Sequence, residues 1–302
     1  MGSPALRVLI RGAICLMMVA ALGAPMAGCD VSGRSGDQGQ VADTPLHRAA
    51  ETGTLIDVER IMKAGANVNA PGEAGRTPLH AAAENADPAV AELLLRAGAS
   101  VEARDKWGTT PLHRAAWESN LAVFQLLVKS GADINAKSED GNTALHYAAR
   151  ASGTEVASVV LKAGLAINAR NKWGETPLHG AVWFSGPPMY NLLLQAGADV
   201  DAVTSGGITM LHQAAKNPNP ELVRVLLRRK VDVNARTEWG DTPLHNAARN
   251  DNPEVAKLLL EAGADTRVVN NEGKTPHAVA VRACRDILWN AMMSKPLSAS
   301  AP

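Results

Sequence analysis

The apolar residues of this chain fall into two alternating kinds of short group, and each kind returns at one fixed interval along the chain. The first kind is rich in alanine, as in residues 111–117 (PLHRAAW), and the second is rich in leucine and valine, as in residues 90–95 (VAELLL). In both kinds the apolar positions lie three or four residues apart, which is the spacing of an amphipathic helix. The pattern therefore predicts pairs of short helices that repeat along the chain.

A four-residue motif, Thr-Pro-Leu-His, opens each first helix of a pair. Threonine is a good N-cap because its hydroxyl accepts a hydrogen bond from an otherwise unpaired amide of the first turn. Proline suits the first helical position, where no N–H is needed, and leucine is the first residue to face the core. The motif is relaxed in the fourth, sixth and eighth copies, and the copies begin at Thr44, Thr77, Thr110, Thr143, Thr176, Thr209, Thr242 and Thr275. Eight copies in phase indicate one unit that stacks on itself.

Two series of glycine residues mark the turns. In every repeat except the first, a glycine stands two residues before the motif threonine, where a hairpin turn needs a positive φ: Gly75, Gly108, Gly141, Gly174, Gly207, Gly240 and Gly273. A second series follows the second helices, where a left-handed cap would end them: Gly65, Gly98, Gly131, Gly164, Gly197 and Gly263. Lys230 replaces this glycine in the sixth repeat, at a cost on the order of 1 kcal/mol if the same conformation is kept.

The motif, the leucine-rich second helix and an exit such as Ala97-Gly98-Ala99 resemble the ankyrin repeat, a unit of about 33 residues. The resemblance covers residues 39–296 and implies an all-α solenoid of eight helix-loop-helix repeats with short β-hairpin fingers. The repeats are placed at 39–71, 72–104, 105–137, 138–170, 171–203, 204–236, 237–269 and 270–296. The outer repeats depart from the pattern as end caps do, since Arg60 stands where inner repeats carry leucine. Residues 297–302 are expected to form a disordered tail.

Composition supports a stacked-repeat protein and argues against a nucleic-acid partner. The chain is 46% hydrophobic but only 3% aromatic, which suits thin helices that bury area against neighbouring repeats. Its formal net charge is zero. Arg7 and Arg11 are the only charged side chains before Cys29, so the remainder of the chain has a balance of −2. Such a balance gives nucleic-acid binding no electrostatic basis.

The N-terminus is expected to direct export and attachment. Arg7 and Arg11 precede the apolar residues 13–22, a run too short to span a bilayer comfortably and typical of a signal peptide, here placed at 1–28. The sequence Met26-Ala27-Gly28-Cys29 then resembles the bacterial lipoprotein box. The resemblance implies cleavage before Cys29, a lipid on Cys29, and inner-membrane retention through Asp30. Residues 29–38 would be a flexible tether. An ordinary signal peptide, with secretion, and a mitochondrial presequence are the alternatives.

Cysteine and histidine residues give no reason to expect a cofactor, a metal site or catalysis. Cys15 would leave with the signal and Cys29 would carry lipid, so Cys284 would remain as a small residue near a helix end. All eight histidines lie in the motif, one per repeat. Stacked helices lie about 8–10 Å apart, whereas two ligands of one Zn²⁺ must each come within about 2.1 Å of it. In the ankyrin family this histidine is structural, bonding to the threonine hydroxyl and to nearby backbone.

Tryptophan returns at twice the interval of the motif, once in every two repeats. Trp107, Trp173 and Trp239 precede the turn glycines of the third, fifth and seventh repeats, while Trp117 and Trp183 end first helices. By the ankyrin resemblance both places face a concave groove. Tryptophan with arginine is typical of binding hot spots, and arginine could stack on the indoles. The predicted partner-binding residues are Arg104, Lys106, Trp107, Trp117, Arg150, Arg170, Lys172, Trp173, Trp183, Phe184, Arg236, Trp239, Asp241 and Arg249, with Glu175 also at the rim. The alternative is that the indoles brace the stack.

These features predict a non-enzymatic protein-binding scaffold of the bacterial envelope. A monomeric solenoid would hold a partner protein in its groove and would contact the membrane only through the lipid anchor. A carbohydrate or cell-wall binder is the alternative, because exposed tryptophan faces also stack on sugar rings.

Overall fold

The structure is a computed structural model that describes residues 42–184 and 186–294. The predicted signal sequence (1–28), tether (29–38) and tail (297–302) lie outside these residues, as do Cys15 and Cys29. Asp43 begins the compact unit that contains every helix described here.

The described residues form sixteen α-helices, two for each repeat. In chain order they are α1 (Pro45–Thr52), α2 (Leu55–Lys63), α3 (Pro78–Ala82), α4 (Pro88–Arg96), α5 (Pro111–Trp117), α6 (Leu121–Lys129), α7 (Ala144–Arg150), α8 (Glu155–Lys162), α9 (Pro177–Phe184), α10 (Pro187–Gln195), α11 (Met210–Lys216), α12 (Glu221–Arg228), α13 (Pro243–Arg249), α14 (Pro253–Glu261), α15 (Pro276–Val279) and α16 (Arg282–Ser294). Odd numbers are first helices and even numbers are second helices. Each first helix contacts the first helix of the next repeat, so the predicted stack of paired helices is confirmed.

The motif histidine bonds the N-cap threonine of its own helix, and in five repeats it also bonds the next repeat. In the third repeat the His113 Nδ1 atom accepts the backbone N–H of Thr110 at 3.1 Å and contacts the threonine hydroxyl at 3.2 Å. The His113 Nε2 atom lies 2.9 Å from the carbonyl oxygen of Ala136 in the same repeat. In five other repeats Nε2 reaches the next repeat, as from His146 to the carbonyl oxygen of Glu175 at 3.1 Å. Because a carbonyl oxygen only accepts, Nε2 must carry the proton, and Nδ1 is the acceptor. The predicted structural role of this histidine is confirmed.

The core is a continuous row of leucine and alanine from the first helices and aliphatic residues from the second. The motif leucines are all buried: Leu46, Leu79, Leu112, Leu145, Leu178, Leu211 and Leu244. Alanine pairs such as Ala115 and Ala116 are fully buried one turn later, because only a small side chain fits between neighbouring first helices. Each repeat therefore completes the core of the one before it.

The turns use the two glycine series as predicted. Every turn glycine and every cap glycine in the two series has a positive φ. Lys230 also adopts this conformation, with φ at 59°, although it has a side chain. The cost expected for a non-glycine residue at that place is therefore present in the folded chain.

The fingers are shorter than β-hairpins, and none of the described residues is in a strand. In the third repeat the turn is closed by two backbone bonds, from Asp105 N–H to Thr109 O (3.0 Å) and from Gly108 N–H to Asp105 O (2.9 Å). The chain then reaches the N-cap at Thr110, which leaves no residues for a ladder. Successive tips are joined by single backbone bonds, such as Glu139 N–H to Trp107 O (3.0 Å).

The last repeat closes the C-terminal end of the stack. Cys284 is fully buried in α16, and burial raises the pKa of its thiol to about 11, as expected for a packing residue. Trp289 lies against His277 with ring centroids 5.5 Å apart, while about half of its surface is exposed. Among residues 42–184 and 186–294, no helix combines the length and the apolar run that crossing a bilayer requires.

Candidate functional site

The finger tips and the ends of the first helices lie on one face of the stack, called here the finger–helix face. Ion pairs connect the two parts directly. Arg249, the last residue of α13, makes two bonds of 2.9 and 3.3 Å to Asp241, which follows the turn glycine of the same repeat. Arg150, the last residue of α7, bonds Glu175 of the next finger at 3.0 Å. The predicted groove residues are therefore neighbours in space.

The three finger tryptophans differ in how well they are held. The Lys106 ammonium lies 4.5 Å from the ring centroid of Trp107, and the Lys172 ammonium lies 4.6 Å from that of Trp173. Both indoles are half-buried. Glu238 stands in the equivalent place before Trp239, whose indole is 53% exposed. Trp239 is thus the most accessible indole of the series.

The arginines that precede the fingers bond backbone carbonyl oxygens and do not stack on the finger tryptophans. Arg104 donates to the carbonyl oxygen of Lys137 at 2.9 Å, and Arg236 donates to that of Val269 at 2.8 Å. Arg170 makes the same bond to Val203. Each guanidinium thus ties one repeat to the next, and the cations over the finger indoles are lysines. The expectation of arginine stacking on the indoles is corrected accordingly.

The helix tryptophans are braced by the next repeat. Trp117 meets the ring of Tyr147 edge-on, with centroids 6.3 Å apart. The Lys216 ammonium lies 5.5 Å from the ring of Trp183. With the Gln213 amide in the orientation that satisfies both of its groups, its oxygen accepts the Trp183 Nε1–H at 3.2 Å. Bracing accounts for much of what holds these two half-buried rings.

The charges predicted at the rim are mostly paired within the chain. The side chains of Arg150 and Glu175 are only 10% and 15% exposed, and the Arg150 guanidinium lies 5.8 Å from the ring of Phe184. Lys172 pairs with Asp140 of the preceding finger. Burial alone would raise the pKa of Asp241, but hydrogen bonds from Arg249 and Asn270 outweigh it and hold that pKa below its ordinary value. These ion pairs hold the charged side chains of the finger–helix face in place.

An open cleft of about 600 Å³ lies beside Trp239. Its lining combines the exposed indole with the Asp241–Arg249 pair and with polar and small residues of the last repeat: Trp239, Asp241, Arg249, Asn270, Asn271, Glu272, Lys274, Ala278 and Val279. The cleft has both an apolar wall and hydrogen-bonding groups, so it is the part of the face best suited to receive a side chain of another molecule.

Several residues of this face were not found by the sequence analysis. Lys216, Tyr147 and Gln213 all hold indoles or their neighbours, and burial, with the charge on Arg249, lowers the pKa of Lys216. Glu84 stands in the second repeat where Trp117 stands in the third, and its carboxylate lies 2.6 Å from the Arg76 guanidinium. The sequence could have indicated Glu84 and Lys216 as residues of this face. Each occupies the place in its repeat that a helix tryptophan occupies in the adjacent repeat.

The described residues offer no group suited to holding a metal ion, since no three His, Cys, Asp or Glu side chains converge there. Six motif histidines have both ring nitrogens engaged, as described for His113: His47, His80, His113, His146, His212 and His245. The imidazoles are therefore parts of the scaffold.

Comparison with known proteins identifies the family. The family model described as ankyrin repeats (3 copies) matches residues 16–105, 46–138, 112–204 and 211–290. The chain belongs to the ankyrin-repeat family, and its all-α solenoid fold is confirmed. A search of curated proteins finds no match to this chain. Ankyrin repeats generally mediate protein–protein interactions, and proteins built from them are typically non-enzymatic scaffolds.

Proposed function

We propose that this chain is a non-enzymatic scaffold of the bacterial cell envelope that binds a partner protein along the finger–helix face. The observation that carries this proposal is the exposed indole of Trp239 in an open cleft. It is the last of three finger indoles, and the other two, Trp107 and Trp173, are half-buried. An aromatic anchor that fills a pocket of the partner, surrounded by ordered polar groups, is the usual centre of a protein interface.

The internal ion pairs support the same proposal. Arg249, held by Asp241 in a bidentate pair, and Lys172, held by Asp140, lose little side-chain freedom when a partner contacts them. A pre-ordered face lowers the entropy cost of association. The half-buried Trp107, Trp117, Trp173, Trp183 and Phe184 would supply the apolar floor.

Replacement of Trp239 by Ala is expected to reduce partner recovery strongly. Loss of a hot-spot side chain costs about 2 kcal/mol or more, which corresponds to about thirtyfold in affinity. The measurement is quantitative affinity purification with the full chain as bait, followed by titration of the recovered partner. Trp289→Ala is the matched control, because that indole is 49% exposed but lies in the last helix. Equal recovery with wild-type and Trp239→Ala chains of equal helix content would refute the assignment.

The cleft beside Trp239 also favours a carbohydrate ligand as a second candidate. An exposed indole next to Asn, Asp and Arg side chains matches what a sugar ring needs, namely a flat apolar surface and hydrogen-bonding groups. Titration of tryptophan fluorescence with cell-wall glycan fragments separates the two candidates. Saturable quenching that Trp239→Ala abolishes would assign the cleft to sugar, while no response leaves it to the protein partner.

Attachment to the membrane is proposed to occur through Cys29. The basic start, the apolar run and the Met26-Ala27-Gly28-Cys29 sequence support this part of the proposal. Replacement of Cys29 by Ser is expected to abolish metabolic labelling of the protein with a radioactive fatty acid, because the thiol that takes the lipid is gone. Cys284→Ser is the control and should keep the label. Label that persists in the Cys29 variant would rule out this anchor.

A further inference from the structure

The outer edge of the second helices carries cations in the last helical turn. The residues that occupy this same place in their repeats are Lys63, Arg96, Lys129, Lys162 and Arg228. A cation there is favoured in any helix, because the helix C-terminus carries partial negative charge. In the first two repeats a glutamate one turn earlier neutralises it, with Glu59–Lys63 at 3.5 Å and Glu92–Arg96 at 2.6 Å. These pairs account for the first two cations, while Gln125 and Ser158 stand one turn before Lys129 and Lys162.

The sixth repeat breaks this arrangement. Arg224 occupies the place of the glutamate, and Arg228, Arg229 and Lys230 follow at the end of α12. All four side chains are exposed, and none of them forms an ion pair in the part of the chain that the structure describes. The Glu254 carboxylate of the next repeat, which the charge on Arg224 influences, is bound to Lys257 at 2.8 Å. These four residues are called here the outer basic cluster.

Lys230 carries its charge at a backbone position where other repeats have glycine. The equivalent cap residue in other repeats is glycine with φ between 74° and 93°, whereas Lys230 adopts φ of 59° with a side chain in place. Other non-glycine residues also adopt positive φ, namely Ala74, Ser119, Asp251 and Arg282. What distinguishes Lys230 is the cation that it adds to the outer basic cluster. A glycine here would relieve the strain but would remove the fourth cation of the cluster. The chain keeps the charge at the expense of local stability.

We propose that the outer basic cluster binds the anionic headgroups of a phospholipid surface. Four exposed cations without ion pairs, gathered at the end of one helix, complement a sheet of phosphate groups, and each such cation strengthens binding by about fivefold. The chain from Cys29 onward has a net charge of −2 with the cluster included, so a nucleic acid has no general electrostatic attraction to it. The choice of a membrane as occupant rests on the proposed envelope location and on the proposed lipid at Cys29, which would keep the chain beside a bilayer.

Binding at this cluster would give the protein a second contact with the membrane. The cluster lies on a second helix, whereas the finger–helix face is formed by first helices and fingers. Contact through the outer edge therefore leaves the finger–helix face free for its partner. The cluster would orient the scaffold, while the lipid on Cys29 would only retain it.

The test measures co-sedimentation of the chain from Asp30 onward, without the apolar run and the lipid, with two kinds of vesicle, one of phosphatidylcholine alone and one of phosphatidylcholine and phosphatidylglycerol in equal parts. Arg228→Gln/Arg229→Gln is expected to weaken binding to the anionic vesicles by about 25-fold, since two charges are lost. Arg96→Gln is the matched control, because Arg96 has the same place in its repeat but is paired with Glu92. It should change binding less than about twofold.

Lys230→Gly separates binding from stability. It should weaken binding to the anionic vesicles by about fivefold while it raises the urea concentration at which the chain unfolds, because the backbone strain is removed. Equal effects of Arg228→Gln/Arg229→Gln and Arg96→Gln, or equal binding to both kinds of vesicle, would overturn the proposal. Retention on polyglutamate beads without binding to anionic vesicles would overturn it too and assign the cluster to an acidic protein. Trp239→Ala should leave vesicle binding unchanged. The proposal for the finger–helix face and the proposal for the outer basic cluster are therefore tested separately.

Discussion

Acidification from about pH 7.5 to about pH 5.5 is expected to lower the free energy of unfolding by about 7 kcal/mol. The cause is the row of motif histidines. Burial lowers the pKa of His80, His113, His146 and His212 to about 4 and that of His179 to about 3. Burial also lowers the pKa of His245. A proton on Nδ1 would face the backbone N–H of the capping threonine, so the folded chain resists protonation.

The direction of the effect follows from the two states of the chain. Well above about pH 6.5 the imidazoles are neutral in both states, so they cost no stability. Between about pH 6.5 and about pH 4 the unfolded chain takes up protons and the folded chain does not, which favours unfolding. Each of the five histidines with a pKa of about 4 or 3 costs about 1.4 kcal/mol one pH unit below 6.5. The loss is complete only below the folded pKa.

Urea unfolding followed by circular dichroism at several pH values measures this dependence. His113→Asn provides the control, because asparagine cannot titrate in this range. Whatever that substitution costs at neutral pH, the further loss on acidification should shrink by about 1.4 kcal/mol. A free energy of unfolding that stays constant from neutral pH to about pH 5.5 would contradict the prediction.

Replacement of Glu175 by Ala is expected to lower the free energy of unfolding by about 3–5 kcal/mol. The substitution removes the carboxylate that Arg150 bonds at 3.0 Å and leaves the guanidinium in a site where its side chain is only 10% exposed. The Arg150 Nε atom already has no partner, and Phe184 covers one side of the group. An unpaired charge in such a site is far costlier than the loss of a surface pair.

Two further variants make this prediction decisive. Arg150→Met/Glu175→Gln should recover stability to within about 1 kcal/mol of wild type, because no charge is then left unpaired. Glu254→Ala removes the carboxylate of an exposed pair with Lys257 and should cost little, as exposed pairs usually do. A loss of stability for Glu175→Ala no greater than that for Glu254→Ala would show that the Arg150–Glu175 pair does not stabilise the fold. Urea unfolding of the four chains at neutral pH gives the comparison.

The architecture of this chain is readable from its sequence because each signal is local. The helix starts follow from the threonine and proline of the motif, and the turns follow from glycines that must adopt positive φ. At Lys230 the sequence left two outcomes open, a left-handed residue with a side chain or a helix that ends differently, and the structure shows the first, with φ of 59°. The fingers are shorter than the predicted β-hairpins because the N-cap threonine lies two residues after the turn glycine, as Thr110 does after Gly108.

The roles of the side chains on the finger–helix face were less predictable. Arg104 bonds a carbonyl oxygen in the next repeat, so its role depends on how two repeats stack and not on the indole beside it in sequence. Arg150 was predicted at a rim and lies buried against Glu175 for the same reason. The exposure of Trp239 depends on Glu238, which stands where Lys106 and Lys172 cover the other finger indoles. The assignment of these residues to a partner stays a prediction.

The histidine bridges also constrain how such a chain can evolve. In most of them the imidazole reaches a carbonyl oxygen near the start of the next repeat's motif, as from His146 to Glu175. Insertion or loss of one residue between the two ends would break the bridge and displace the finger-tip bond beside it. Insertion or loss of a whole repeat leaves every remaining junction intact, and a step of two repeats also keeps the alternation of tryptophans. A lineage can therefore lengthen or shorten its recognition surface in modular steps without redesigning any interface.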